Sequence, residues 1–237
     1  MLEIKTWRDP YDSGFSPTRP RVVEFKEGLT VLVGCNGAGK TTLIQNIKDE
    51  CFENKIPCYS YNNLRDGGNS SVLSQSLAGL GSFEDDFEFG VTMWTASEGE
   101  AIKGNIGRQT RFFKKFEDTG MTERNRFARL FDDDDKEPEP ITDNRRIYLF
   151  DAIDSGLSID IVNEFKGLFY AMIKRNKEKG LEPYIIAVAN EYELARGEDC
   201  FDVNAGKYIT FSDYEDYRSF ILKSRANKEK RIEKQKI

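Results

Sequence analysis

The segment Gly34–Thr42 restricts the fold of this chain more than any other part of its sequence. It contains three glycines, a lysine and two threonines and fits the pattern G-x-x-x-x-G-K-[ST] at every fixed position. The apolar, β-branched run at 29–33 predicts a buried strand before it, and the apolar spacing over 39–54 predicts an amphipathic helix after it. A strand, a glycine-rich turn and a helix N-terminus together form a structure that binds phosphate groups.

Each residue type in this segment has a physical role in holding a phosphate. Glycines allow backbone N–H groups to turn toward phosphate oxygens, and the start of a helix favours negative charge. Lys40 can reach the β- and γ-phosphates of a nucleotide, and the Thr41 hydroxyl can bind Mg²⁺. The sequence therefore predicts a nucleotide site that consists of Gly34, Asn36, Gly37, Ala38, Gly39, Lys40, Thr41 and Thr42.

The chain has 237 residues and contains no histidine, which excludes several classes of catalytic and metal site. Serine and cysteine triads that need histidine, histidine-ligated zinc and a histidine general base are all excluded. The four cysteines show no CxxC spacing, which argues against a zinc ribbon or a thioredoxin-type site. The net charge of −6 indicates that the body of the chain does not bind polyanions.

Apolar runs alternate with amphipathic segments and predict an α/β fold with a mostly parallel central sheet and flanking helices. Further strands are expected at 57–61, 147–150 and 184–189, and short hairpin pieces at 200–203 and 207–211. Residues 2–7 and 22–25 predict an antiparallel N-terminal β portion. Helices are expected at 97–116, at 158–177 and from 212 onward.

Asp151 directly follows the predicted strand at 147–150 and is a candidate Mg²⁺ ligand. In P-loop enzymes an aspartate at this place holds the metal beside the hydroxyl of the phosphate-binding loop. The alternative is a solvated carboxylate just beyond a strand. The metal site that the sequence predicts therefore consists of Thr41 and Asp151.

The phosphate-binding segment and three later segments occur in the order found in ABC-type ATPases, and the chain resembles this family, including its SMC-like members. Ala96–Glu100 is similar to the family's signature, Asp151–Ser158 to its Walker B aspartate and D-loop, and Ile185–Glu191 to its switch strand. The resemblance implies a P-loop NTPase of the ABC-ATPase type that binds ATP and Mg²⁺. The chain also resembles small stand-alone ATP-binding proteins of phages and prophages.

The resemblance also implies a homodimer in which each ATP lies between the phosphate loop of one subunit and the signature segment of the other. Ser97, Gly99 and Glu100 would then contact the nucleotide across the dimer. The residue types of this segment also fit an ordinary helix N-cap followed by acidic residues.

Two positions depart from the family and concern catalysis. Ala152 stands where the family has its catalytic glutamate, and Asn190 stands where it has its switch histidine. Asp154 and Glu191 are nearby carboxylates, but neither occupies the family's position. With Lys40, Asp151 and Asn190 as the remaining candidate catalytic residues, we expect slow ATP hydrolysis, because positioning and electrostatics dominate phosphoryl transfer. The alternative is a non-catalytic, ATP-dependent switch or binding module.

We expect one ATP-binding domain over 1–222, with an insertion at about 112–140, and a basic tail over 223–237. The tail contains seven bases and two acids, which fits contact with nucleic acid, contact with an acidic partner surface, or a solubilising helix end. No signal segment and no apolar stretch of about 20 residues is present. The sequence therefore predicts a cytoplasmic protein without membrane contact, located in a bacterial host if it is phage-encoded.

Overall fold

The computed structural model describes residues 1–6, 22–62, 110, 113–120, 141–154 and 157–235. The strands in these ranges are β1 (Leu2–Lys5), β2 (Val22–Phe25), β3 (Gly28–Val33), β4 (Cys58–Asn62), β5 (Arg145–Asp151), β6 (Glu182–Val188), β7 (Cys200–Asp202) and β8 (Lys207–Ile209). The helices are α1 (Lys40–Glu53), α2 (Ile159–Glu178), α3 (Tyr192–Ala195) and α4 (Tyr214–Gln235), and residues 113–119 are also helical.

Six of these strands form one sheet in the order β4-β5-β6-β3-β7-β8. Neighbouring strands from β4 to β7 are parallel, and β7 and β8 are antiparallel. The strands β1 and β2 form a separate antiparallel pair. The prediction of a mostly parallel sheet with an antiparallel N-terminal portion and flanking helices is confirmed.

The central strands are mostly apolar in their interiors because both faces of the sheet are covered. Along β5, Ile147 and Leu149 belong to one core, whereas Tyr148 and Phe150 belong to the other. The first core includes residues of α1, β1 and β2, and the second includes residues of α2, α4 and the 113–119 helix. Successive strand side chains point to opposite faces, so a strand between two cores carries apolar residues at successive positions.

The helical residues 113–119 lie inside the predicted insertion at 112–140 and pack into the second core. Phe113 and Phe116 are fully buried there. The Glu117 side chain is also fully buried and lies 2.7 Å from Arg175 and 3.3 Å from Lys179 of the neighbouring helical region. These ion pairs offset the cost of burying a carboxylate and attach the helix to the end of α2. Residues 121–140 lie outside the described residues.

The parallel strands bring several carboxyl ends to the same edge of the sheet. The phosphate-binding segment follows β3, Asp151 ends β5, and Asn190 lies two residues beyond β6. Because β6 lies between β5 and β3, the end carrying Asn190 is between the other two. Ligands of open parallel sheets bind outside the carboxyl ends of the strands. The fold therefore brings the phosphate-binding segment, Asp151 and Asn190 to the edge of the sheet where a ligand would bind.

The predicted boundary between the domain and the tail lies inside a helix. Helix α4 is continuous across residues 222 and 223, so the first part of the predicted tail belongs to a helix that also packs on the core. Within the described ranges, no helix has the length and apolar character needed to cross a bilayer.

Candidate phosphate-binding site

The phosphate-binding segment forms a tight loop between β3 and α1. Inside it the N–H of Ala38 donates to the carbonyl of Cys35 at 3.0 Å, which closes a turn. Gly39 has φ 96° and directly precedes α1, a conformation that is strained for residues with a side chain. The first N–H groups of an α-helix have no partner inside the helix. The loop and the start of α1 therefore present backbone donors suited to an anion.

Lys40 is the first residue of α1 and is 8% exposed. Its ammonium group donates to the carbonyl of Gly34 at 2.7 Å, so the side chain spans the loop from its end to its beginning. Burial lowers the pKa of Lys40, and the charges of Cys35, Asp154 and Asp151 oppose this shift only in part. An anionic ligand would stabilise the buried ammonium group, because an opposite charge favours the ionised form.

The predicted metal ligands Asp151 and Thr41 provide oxygen atoms at this edge. Asp151 is 7% exposed and accepts a hydrogen bond from Nδ2 of Asn62 at 3.1 Å. Asn62 is the residue paired with Asp151 where β4 and β5 end. Thr41 is exposed in the first turn of α1.

This donor set fits Mg²⁺ bound together with a nucleotide. Mg²⁺ takes oxygen ligands and is usually held by one or two carboxylates, substrate phosphates and waters. Thr41 and Asp151 supply a hydroxyl and a carboxylate of this kind. In the part of the chain that the structure describes, no group of three or more His, Cys, Asp or Glu side chains could hold a metal ion by itself. Phosphate oxygens would have to complete the coordination.

Asp154 positions the segment that follows β6. Its carboxylate is 1% exposed and accepts hydrogen bonds from the backbone N–H of Asn190 at 2.6 Å and of Glu191 at 2.8 Å. It also accepts one from Nδ2 of Asn190 at 3.0 Å. Burial raises the pKa of Asp154, and the hydrogen bonds from Glu191 and Asn190 oppose this rise. Asp154 therefore fixes the positions of both the backbone and the side chain of Asn190.

The backbone between the two carboxylates turns at Ala152, which has φ 54°. A left-handed conformation costs a non-glycine residue about 1–2 kcal/mol. Asp151 precedes this turn and Asp154 follows it, and both carboxylates interact electrostatically with the Lys40 ammonium group. The position where the family resemblance implies a catalytic glutamate therefore carries a methyl group on a left-handed turn.

A cavity of about 630 Å³ lies between the phosphate loop and α4. Residues that line it include Gly34, Asn36 and Lys40 of the loop, Asn190 after β6, and Tyr217 and Lys228 of α4. The Tyr217 hydroxyl donates to the carbonyl of Asn190 at 3.2 Å. Four residues of the predicted site thus line one cavity, and α4 forms its other wall.

Three residues of the predicted site, Ser97, Gly99 and Glu100, fall outside the described residues. Two residues beside the site, Asn62 and Lys228, were not predicted to be part of it. Asn62 was missed as a partner of Asp151, although a polar residue at the end of a predicted strand is a signal of this kind. Lys228 was assigned only to the tail, because no local pattern connects it with Asn36, which lies 192 positions away.

A family model described as an AAA domain matches residues 13–236 of the chain. The match includes the phosphate loop, Asp151 and Asn190. No curated protein and no solved structure matches the chain.

Proposed function

Since the chain belongs to the AAA domain family, we propose that it binds Mg²⁺-ATP as an ABC-type ATPase domain. One observation carries the proposal: the buried ammonium group of Lys40 spans a glycine loop at a helix N-terminus and lines a cavity there. A buried cation beside backbone donors is suited to a strongly charged phosphate chain. The family supports ATP as the nucleotide.

The residues around Lys40 have distinct roles in this proposal. The loop N–H groups and Lys40 would bind the phosphates, while Thr41 and Asp151 would hold Mg²⁺. The ion would neutralise negative charge on the β- and γ-phosphates. The hydrogen bond from Asn62 orients the Asp151 carboxylate, and Asp154 keeps Asn190 at the wall of the cavity.

The magnesium role of Asp151 can be tested by replacing it with asparagine, which keeps the size and removes the charge. We expect wild type to bind ATP about ten-fold more tightly with Mg²⁺ than with EDTA, a difference of about 1.4 kcal/mol. Asp151→Asn should lose most of this difference, because the carboxylate is the charged protein ligand of the ion. Calorimetric titration of ATP in both buffers measures the effect.

The matched control is Asp49→Asn, which removes a carboxylate from α1 at a position paired with Gln45 at 2.7 Å. This control should keep the magnesium dependence of wild type. An equal magnesium dependence in wild type and Asp151→Asn would show that Asp151 does not hold the ion.

We propose further that ATP promotes a head-to-tail homodimer in which Ser97–Glu100 of one subunit contact the nucleotide held by the other. The order of the sequence segments supports this arrangement. The helix start that the sequence predicts near Ser97, with a serine and a glycine, also suits a second phosphate contact. Hydrolysis should be slow, because Ala152 offers no carboxylate to orient the attacking water.

Light scattering with ATP and an ATPase assay test the dimer and its turnover together. We expect ATP to convert wild type to a dimer, and Ser97→Arg to prevent this because a bulky cation would fill the contact. Ser212→Arg, an exposed position before α4, serves as the matched control. A dimer that persists in Ser97→Arg would contradict the head-to-tail model.

The second candidate function is a non-catalytic switch whose ATP-bound form acts as a binding module for nucleic acid or a protein partner. Ala152 favours this candidate over an efficient ATPase. Turnover above about 0.1 s⁻¹, below the usual range for kinases, would rule it out. The exposed tail lysine Lys223 is the proposed contact for nucleic acid, since Lys228 is directed at the phosphate loop.

A further inference from the structure

Helix α4 is attached to the phosphate loop by two hydrogen bonds. The backbone N–H of Cys35 donates to Oγ of Ser224 at 3.3 Å, and Nζ of Lys228 donates to the carbonyl of Asn36 at 2.9 Å. Ser224 is 6% exposed and also accepts a hydrogen bond from Nδ2 of Asn204 at 3.0 Å. Ser224 and Lys228 are four residues apart and share one face of the helix. That face is therefore directed at the loop.

The ammonium group of Lys228 lies directly against the middle glycine of the loop. Gly37 has φ 71°, and a β-carbon built on it would clash with Nζ of Lys228. The glycine thus permits the backbone turn and also leaves space for the ammonium group. The contact places a positive charge beside a backbone segment that is shaped to bind anions.

The same face of α4 contributes a second cation to the cavity. Arg225 precedes Lys228 by one helical turn, and both line the cavity together with Lys40. Glu229 is the carboxylate on this wall, and it pairs with Nε of Arg225 at 3.1 Å. Cations therefore line the cavity both from the phosphate loop and from α4.

We propose that α4 completes the nucleotide site within the same chain, with Lys228 binding the terminal phosphates of the nucleotide held by the loop. This inference rests on the proposed binding of ATP and deepens it by adding a phosphate ligand from the C-terminal part of the chain. An ammonium group has three N–H donors, and the bond to Asn36 uses one of them. Arg225 adds positive charge on the same wall.

The experiment replaces Lys228 by methionine, which keeps the apolar stem and removes the charge. We expect the affinity for Mg²⁺-ATP to fall about ten-fold, the usual effect of losing a charged hydrogen bond. The affinity for AMP should change much less, because AMP lacks the terminal phosphates. Lys228→Arg should retain most of the affinity for ATP. Calorimetric titration with ATP, ADP and AMP measures these differences.

Two control variants separate this role from a structural one. Lys230→Met removes the same charge two residues later, about 200° around the helix axis, and should bind ATP like wild type. Ser224→Ala removes the acceptor of the Cys35 N–H without changing charge, and should weaken ATP binding much less than Lys228→Met does. Thermal unfolding of each variant verifies that the fold is retained.

The outcomes distinguish this inference from the proposed function. Unchanged or tighter ATP binding by Lys228→Met would overturn the inference, and tighter binding would indicate that α4 competes with the nucleotide. Equal losses for ATP and AMP would also overturn it. If Lys40→Ala lost affinity for ATP while Lys228→Met gave any of these results, the proposed function would stand and the role of Lys228 would be disproved.

Discussion

Replacing Lys40 by alanine is expected to lower the affinity for Mg²⁺-ATP by at least about 100-fold, equivalent to about 2.7 kcal/mol. Lys40 is nearly buried, and its ammonium group lies within the loop that would surround the phosphates. Charge-assisted hydrogen bonds are about twice as strong as neutral ones. The loss should therefore exceed that of Lys228→Met, because Lys228 is only partly buried and reaches the loop from α4.

The measurement is a titration of ATP into wild type and Lys40→Ala, with thermal unfolding to verify folding. Lys48→Ala is the matched control, since it removes the same charge from the same helix two turns further on. Lys48→Ala should bind ATP like wild type. If Lys40→Ala kept an affinity within a few-fold of wild type, the phosphate loop would not be the nucleotide site.

The second large effect is expected from Asp154→Ala, which should lower the free energy of unfolding by about 3 kcal/mol. The carboxylate is 1% exposed and accepts hydrogen bonds from two backbone N–H groups and from the Asn190 amide. Alanine would remove all three of these hydrogen bonds to a charged acceptor. A hydrogen bond to a charged group contributes about 1.5–3 kcal/mol to stability.

Urea unfolding monitored by circular dichroism measures this change. Asp154→Asn keeps the shape and one acceptor oxygen, so its loss of stability should be smaller. Both variants should also bind ATP more weakly than wild type, because Asn190 would no longer be held at the cavity wall. A destabilisation below about 0.5 kcal/mol, typical of a surface substitution, would contradict the positioning role of Asp154.

The proposed role of Lys228 and the proposed head-to-tail dimer both place protein groups at the terminal phosphates of the nucleotide. Helix α4 forms one wall of the cavity, so residues of a second subunit would have to reach the terminal phosphates beside it. Lys228→Met and Ser97→Arg remove phosphate contacts from different sources, one within the chain and one across a dimer. Measuring ATP affinity and dimer formation for both variants therefore shows which source contributes more.

Much of the fold was predictable because it depends on local patterns. The run at 29–33 is apolar except for Thr30, as expected of a strand between two cores, and it forms most of β3. The glycines and Lys40 follow in the chain, so the loop and the start of α1 could be placed without tertiary information. Asp151 was placed in the same way, by an apolar run that ends at a carboxylate.

Other features of the site depend on contacts that no local pattern contains. The sequence gives no sign that Asp154 accepts hydrogen bonds from Asn190, although both residues follow predicted strands. The strand order β5-β6-β3 brings them together. The position of Lys228 depends likewise on how α4 packs across the second core.

The sequence by itself determined a phosphate-binding loop, the type and order of the main elements, and the carboxylate at the end of β5. These depend on side-chain periodicity and turn chemistry over a few residues. The tertiary structure alone decided that Asp154 holds Asn190 and that Lys228 contacts the loop at Asn36. The physical reason is that such contacts join distant residues, and their geometry is set by the packing of two cores against one sheet.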